Sequence, residues 1–120
     1  MPVIVVLDDD AERRAALTEQ LRRLFPRTRV TAGTEAELER GEDARIVLTG
    51  LAVAERIGLR PRRLALRVVA LTPEMGPATL RRAEAAGVYA TLRAPATTEG
   101  LRAVLEPIVG DGTSSGAEGW

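Results

Sequence analysis

The sequence predicts a single α/β domain in which a five-stranded parallel sheet carries helices on both faces. At 120 residues and 45% hydrophobic content, the chain is long enough for one compact core and too short for two. Apolar runs alternate regularly with amphipathic stretches, which is typical of strands joined by helical crossovers. Most of the runs are continuously apolar, as expected for strands that are covered on both faces.

Five short apolar runs are the predicted strands. The first is rich in β-branched residues, and all of them are too short to be buried helices. In chain order the strands are Val3–Leu7, Arg29–Ala32, Ile46–Leu48, Leu66–Leu71 and Val88–Leu92.

Capping residues predict the first two helices. Asp10 can accept hydrogen bonds from the first turn of a helix, and Pro26 ends that helix. A second, short helix opens at Thr34, where a glutamate three residues later completes a capping box, and ends at Gly41.

The carboxyl-terminal part of the chain predicts two more helices and a tail. Pro77 opens a helix that runs to about Ala86, with Gly87 at its C-terminal cap. The last helix has an apolar stripe, and Pro107 should kink or fray its last turn. The stripe is Leu101, Val104, Leu105 and Ile108. We expect residues 1–109 to form the domain and residues 110–120 a flexible tail or the start of a linker.

Composition excludes several classes of chemistry. The chain has no Cys and no His, so disulfides, the usual zinc sites and Cys or His nucleophiles are absent. Its 17 basic residues, all Arg, balance 17 acidic ones, and a net charge of zero makes nucleic acid an unexpected partner. No apolar run reaches the roughly 18 residues of a membrane span, so we expect a cytoplasmic protein without membrane contact.

The strand ends decide the function, because ligands of such sheets bind outside the carboxyl ends of the strands. The stretch from Val3 to Arg14, with three aspartates directly after the first strand, resembles the opening of response-regulator receiver domains. Three landmarks follow in the order of that family: Leu71-Thr72, Gly87 and Ala94-Pro95. The resemblance covers residues 3–109 and implies a flavodoxin-like fold with strand order 2-1-3-4-5.

The resemblance also implies a phosphorylation site that is degenerate in this chain. Receiver domains hold magnesium with two adjacent acids, and these match Asp8 and Asp9. The family's hydroxyl matches Thr72, but Gly50 stands where the phosphoaccepting aspartate belongs and Ala94 where the lysine belongs. Phosphoryl transfer depends on positioning and charge neutralisation, which glycine and alanine cannot supply.

Further departures from the family concern its switch and its length. The moving aromatic of the family is replaced by Thr91. Sliding the third strand by one residue would place Thr49 at the acceptor position, but its side chain would then face the wrong side of the sheet. The chain between Gly50 and Thr72 is shorter than in the family, so we expect a short or irregular third helix.

The site residues therefore allow an ordinary structural interpretation. Asp10 caps a helix, and Asp8 and Asp9 are solvated acids that pair with Arg14 or Arg93. We expect no metal site, with Asp8 and Asp9 as weak candidates only. We also expect no cofactor, because a dinucleotide site would require a glycine-rich turn after the first strand.

The sequence thus predicts a pseudo-receiver: a phosphorylation-independent protein interaction module of bacterial signal transduction or regulation, and not an enzyme. Its partner would be another protein or its own output domain, and we expect that it can pair with a second copy through the last two helices and the fifth strand. The alternative is a sensor that binds a small metabolite beside Gly50 and Ala94, in place of the phosphoryl group.

Overall fold

A five-stranded parallel sheet forms the centre of the molecule, as predicted. The structure is a computed structural model that describes residues 3–8, 10–33, 46–58 and 67–117. Its strands are β1 (Val3–Leu7), β2 (Arg29–Ala32), β3 (Ile46–Gly50), β4 (Arg67–Thr72) and β5 (Ala90–Arg93). They lie in the order β2-β1-β3-β4-β5, so the predicted strand order is confirmed.

Four helices are found in the described part of the chain. They are α1 (Ala11–Leu24), α2 (Leu51–Gly58), α3 (Pro77–Ala85) and α4 (Thr98–Ala117). The eight residues of α2 confirm that the helix after β3 is short. The helix predicted at residues 34–41 lies outside the described residues.

Two apolar clusters cover the two faces of the sheet. Successive residues of a strand point to opposite faces, and accordingly Ile4 and Val6 belong to one cluster while Val5 and Leu7 belong to the other. The first cluster packs β1 to β4 against α1 and α4, and it contains the fully buried Leu21, Leu101 and Leu105. The second packs the sheet against α2 and α3 and contains Leu51, Ala54 and Ala83. Both faces are therefore covered by helices.

Helix α1 begins and ends where its capping residues predict. The Asp10 carboxylate accepts hydrogen bonds from the backbone N–H groups of Glu12 and Arg13, at 2.9 and 3.1 Å. Near the other end, the Arg22 guanidinium donates from two nitrogens to the carbonyl of Val30, at 3.2 and 3.1 Å. The first bonds start the helix, and the second tie it to the edge strand β2.

The fifth strand begins two residues later than predicted. Ala86 is the C-cap of α3, and Gly87 follows it with a φ of 74°, the left-handed conformation that glycine adopts at low cost and that ends the helix as predicted. The next residue still belongs to that cap, because the Val88 N–H donates to the Ala83 carbonyl at 3.2 Å. The strand therefore starts at Ala90 and not at Val88.

Helix α4 continues to Ala117, past residue 109, where the domain was predicted to end and a tail to begin. Pro107 lies inside it. Four described residues of α4 are buried and face the core: Leu101, Leu105, Ile108 and Val109. The division of the chain into a domain and a tail stays a prediction. Among the described residues, no helix combines the length and the apolar character that crossing a membrane requires.

Candidate functional site

An open cleft of about 780 Å³ lies at the carboxyl edge of the sheet. Four of the predicted site residues line it together: Asp8 after β1, Gly50 at the end of β3, Thr72 at the end of β4 and Ala94 after β5. They meet because the carboxyl ends of parallel strands share one edge of the sheet. Asp9, the fifth predicted residue, lies outside the described part of the chain.

Three groups of the α1 segment hold Asp8. Arg13 donates from Nε to Oδ2 at 3.3 Å and from Nη2 to Oδ1 at 3.1 Å, so its guanidinium engages both carboxylate oxygens. The backbone N–H of Asp10 also donates to Oδ1, at 2.8 Å. Arg14 donates instead to the Asp8 carbonyl, at 2.8 Å. The prediction that Arg14 or Arg93 pairs with the Asp8 carboxylate is therefore wrong, and Arg13 is its partner.

These contacts set the charge of Asp8. Its burial alone would raise the pKa of the carboxyl group. The hydrogen bonds from Arg13 and Asp10, together with the positive charges of Arg13 and Arg14, outweigh the burial and hold the pKa below its ordinary value. Asp8 is therefore ionised at neutral pH, and its negative charge is matched by Arg13.

Gly50, at the predicted acceptor position, leaves open space. A Cβ atom built on this residue would have no heavy atom within 4 Å beyond its chain neighbours, so the cleft has room for a side chain there. The preceding residue, Thr49, is 1% exposed, and its hydroxyl has no hydrogen-bond partner in the described part of the structure. Gly50, and not Thr49, lines the cleft.

The Thr72 hydroxyl is engaged by its own loop. It donates to the Glu74 carbonyl at 3.0 Å and accepts from the Glu74 N–H at 3.4 Å. The Thr72 carbonyl in turn accepts from the Ala94 N–H at 2.8 Å, which joins the ends of β4 and β5. Thr91, the predicted switch position, is half-buried in β5 opposite Ala70.

A second ion pair on the cleft rim was not predicted. Arg82 of α3 donates to both carboxylate oxygens of Glu55 on α2, at 3.2 and 2.7 Å. The pair holds the pKa of Glu55 below and that of Arg82 above their ordinary values, mainly through its side-chain hydrogen bonds. The residues are 27 apart in the chain, on different helices, so no local spacing could have predicted the contact.

The described residues do not fit a magnesium ion, which receiver domains hold at this place. Magnesium requires oxygen ligands in near-octahedral geometry. Both oxygens of Asp8 accept hydrogen bonds from Arg13, and Gly50 offers no side-chain ligand. Within the described ranges, no three His, Cys, Asp or Glu side chains form a group that could hold a metal.

Comparisons with known proteins identify the fold. No protein-family model matches the sequence, and no curated protein matches it significantly. The signal receiver domain of a DNA-binding response regulator (MerR) from Colwellia psychrerythraea 34H matches with a TM-score of 0.77 at 21% identity, over 91% of this chain and 98% of that chain.

Two further structures match at slightly higher identity. A protein named for pilus assembly (CpaE) from Burkholderia thailandensis gives a TM-score of 0.74 at 25% identity, over 91% of this chain and 98% of that chain. A pilus assembly-related protein from Burkholderia pseudomallei gives 0.74 at 26%, over 89% and 88%. Two other matches are a response regulator receiver protein from Pseudoalteromonas atlantica and a response regulator from Thermotoga maritima. The chain therefore has the receiver-domain fold.

Proposed function

We propose that this chain is a pseudo-receiver, a module that acts in bacterial signalling or regulation through protein contacts and without phosphorylation. It is not an enzyme in this proposal, and it works in the cytoplasm. Its partner is another protein or an output domain of the same polypeptide.

The proposal depends on one observation, the glycine at the carboxyl end of β3. Phosphoryl transfer to a protein carboxylate requires an oxygen nucleophile at that point, and Gly50 has no side chain. The surrounding groups are engaged in other contacts. Asp8 is paired with Arg13, Thr72 is bonded to Glu74, and Ala94 provides no ammonium group to stabilise a transferred phosphoryl.

The likeness to proteins named for pilus assembly supports a role in protein contacts. Those names describe the building of an assembly and not a phosphorelay. Two apolar side chains near α3 are available for such contacts, since Leu80 of α3 is 45% exposed and Met75, just before α3, is 38% exposed. We therefore place the contact surface on α3, β5 and α4, where a second copy could also bind.

The direct test is exposure of the protein to acetyl phosphate and magnesium, followed by intact-mass measurement. We expect no added phosphoryl mass, and in a parallel sample with beryllofluoride no shift of the backbone amides around Gly50. A phosphorylatable receiver domain serves as the positive control. A stoichiometric mass increase in this chain would contradict the proposal.

The open cleft favours a second candidate function, the binding of a small metabolite. The cleft is bounded mainly by apolar side chains, and two arginines contribute to its rim, a composition found in ligand sites. A thermal-shift screen of metabolites tests this, because a ligand that binds the folded state raises the melting temperature.

Two glycine variants make that screen specific. Neither Gly50 nor Gly76 would bring a new Cβ within 4 Å of other atoms, but only Gly50 lines the cleft. If the cleft is the binding site, Gly50→Leu should abolish the shift caused by a ligand and Gly76→Leu should preserve it. A shift that survives in both variants would place the ligand elsewhere.

A further inference from the structure

We infer that Arg13 is the resident cation of the cleft: its guanidinium neutralises Asp8 where a divalent metal would otherwise bind. The chain would thus supply its own positive charge at the acidic end of the site. The inference rests on the proposed function in one respect, since it explains how the site is held in one charge state without magnesium or a phosphoryl group.

The geometry of the pair carries the inference. Both Asp8 oxygens accept hydrogen bonds from Arg13, at 3.3 and 3.1 Å, so the planar guanidinium binds the carboxylate in a bidentate manner. Another Arg13 nitrogen, Nη1, lies 3.9 Å from Oδ2 of Asp10. One arginine therefore lies between two carboxylates, an arrangement in which a divalent ion would have to displace it.

The fold fixes Arg13 in this place. The Asp10 cap sets the first turn of α1 and accepts a hydrogen bond from the Arg13 backbone N–H at 3.1 Å. Separately, the Arg14 guanidinium donates to the backbone carbonyl of Asp8, at 2.8 Å, and anchors that residue. The two successive arginines thus have different roles. Arg14 orients the Asp8 backbone, and Arg13 neutralises the Asp8 side chain. Removing the Arg13 side chain leaves the Arg14 anchor intact.

Exposure indicates that the pair acts on the charge of the cleft more than on the stability of the fold. The Arg13 side chain is 70% exposed and that of Asp8 is 21% exposed. Because the guanidinium lies mostly in solvent, the pair contributes little to stability. The same guanidinium nevertheless repels a divalent cation at close range, and this repulsion is unfavourable even in a high dielectric.

The test is a Mn²⁺ titration of the full chain, followed by paramagnetic broadening of the amide signals around Asp8. We compare the wild type with Arg13→Gln and with Arg102→Gln. Arg102 is a suitable control, because it is 59% exposed and pairs with Glu106 at 3.9 Å on α4. We expect the Mn²⁺ affinity to rise about tenfold in Arg13→Gln, since one nearby positive charge is removed. We expect no change in Arg102→Gln.

A double variant identifies the ligand of the metal. In Asp8→Asn/Arg13→Gln the gained affinity should disappear, because the carboxylate that Arg13 covers is gone. Equal affinities in wild type and Arg13→Gln, or a gain that persists without Asp8, would overturn the inference. These outcomes are separate from phosphoryl labelling of the wild type, which would overturn the proposed function.

Discussion

The interior of the sheet and its carboxyl edge differ in the kinds of residue that they contain. The interior is made of aliphatic side chains that are almost fully buried, with Ile46, Leu48 and Val69 at 0% exposure. The edge lines an open cleft in which a glycine and an alanine stand at the ends of β3 and β5, and an arginine pairs with the aspartate that follows β1. The first region specifies the fold, and the second would specify the chemistry.

The contrast shows that the residues that determine the fold are physically separate from those that would determine the chemistry. The free energy that stabilises this fold comes mainly from the burial of apolar side chains on both faces of the sheet. Reactivity depends on a few polar groups at the strand ends, which contribute little to that burial. Substitutions in the two regions should therefore have stability effects of different size and sign.

The largest effect should come from the interior, through Leu48→Ala. Leu48 is fully buried in β3, so the change removes apolar contacts and leaves a cavity. We expect a loss of about 3 kcal/mol in the free energy of unfolding, measured by urea denaturation. Leu80→Ala, at a residue that is 45% exposed, is the control and should change stability by less than about 0.5 kcal/mol. Similar losses in both variants would remove the distinction between core and surface.

The next effect concerns Thr49, where the interior meets the edge. Its hydroxyl is buried and lacks a hydrogen-bond partner among the described residues, a condition that costs about 1 to 3 kcal/mol. Thr49→Val replaces the hydroxyl with a methyl group of similar size, so we expect stability to rise by about 1 kcal/mol. Thr18→Val is the control, because the Thr18 hydroxyl donates to the Arg14 carbonyl at 2.7 Å. If Thr49→Val is destabilising, the hydroxyl has a partner.

A pH-dependent effect of similar size is expected for Asp8→Asn at the edge. The folded-state pKa of Asp8 is lowered, so its stabilising contribution is present above the ordinary pKa of 3.8 and is lost as the pH falls through the folded value. We expect the variant to be about 1 kcal/mol less stable than wild type near pH 7, since it loses a charged hydrogen bond. This difference should shrink in urea denaturation near pH 3. A difference independent of pH would contradict the ion pair.

The smallest effect is expected for Gly50→Ala. Gly50 is not among the residues with positive φ, and a Cβ there meets no atom within 4 Å. Alanine should fit and restrict the unfolded chain, raising stability by about 0.5 kcal/mol. Gly87→Ala is the opposing control, because its φ of 74° makes a side chain unfavourable by about 1 kcal/mol or more. A clear loss at Gly50 would show that the open space at the edge is smaller than described.

The sequence allowed much of the fold to be predicted, because period and capping are local signals. The continuous run of β1 indicated burial on both faces, Asp10 indicated the start of α1, and Gly87 indicated the end of α3. The start of β5 was placed too early, because Val88 is apolar and extends the strand pattern although its N–H closes the preceding helix.

The sequence predicted which residues lie at the candidate site. It did not predict which of their side chains contact each other. Strand ends place Asp8, Gly50 and Thr72 at one edge whatever their side chains do. Which arginine reaches Asp8 depends on rotamers and on the exact turn of α1, and neither can be obtained from spacing. The pair between Glu55 and Arg82 depends on how two helices lie against each other, which is a property of the packed molecule.

The contact between Arg22 and Val30 has a consequence for self-association. Strand β2 is one border of the sheet, and the Val30 carbonyl, which accepts from Arg22 at 3.2 and 3.1 Å, is occupied by a bulky charged group. An incoming strand cannot extend the ladder there without expelling this arginine, which protects the border against unwanted addition of further chains.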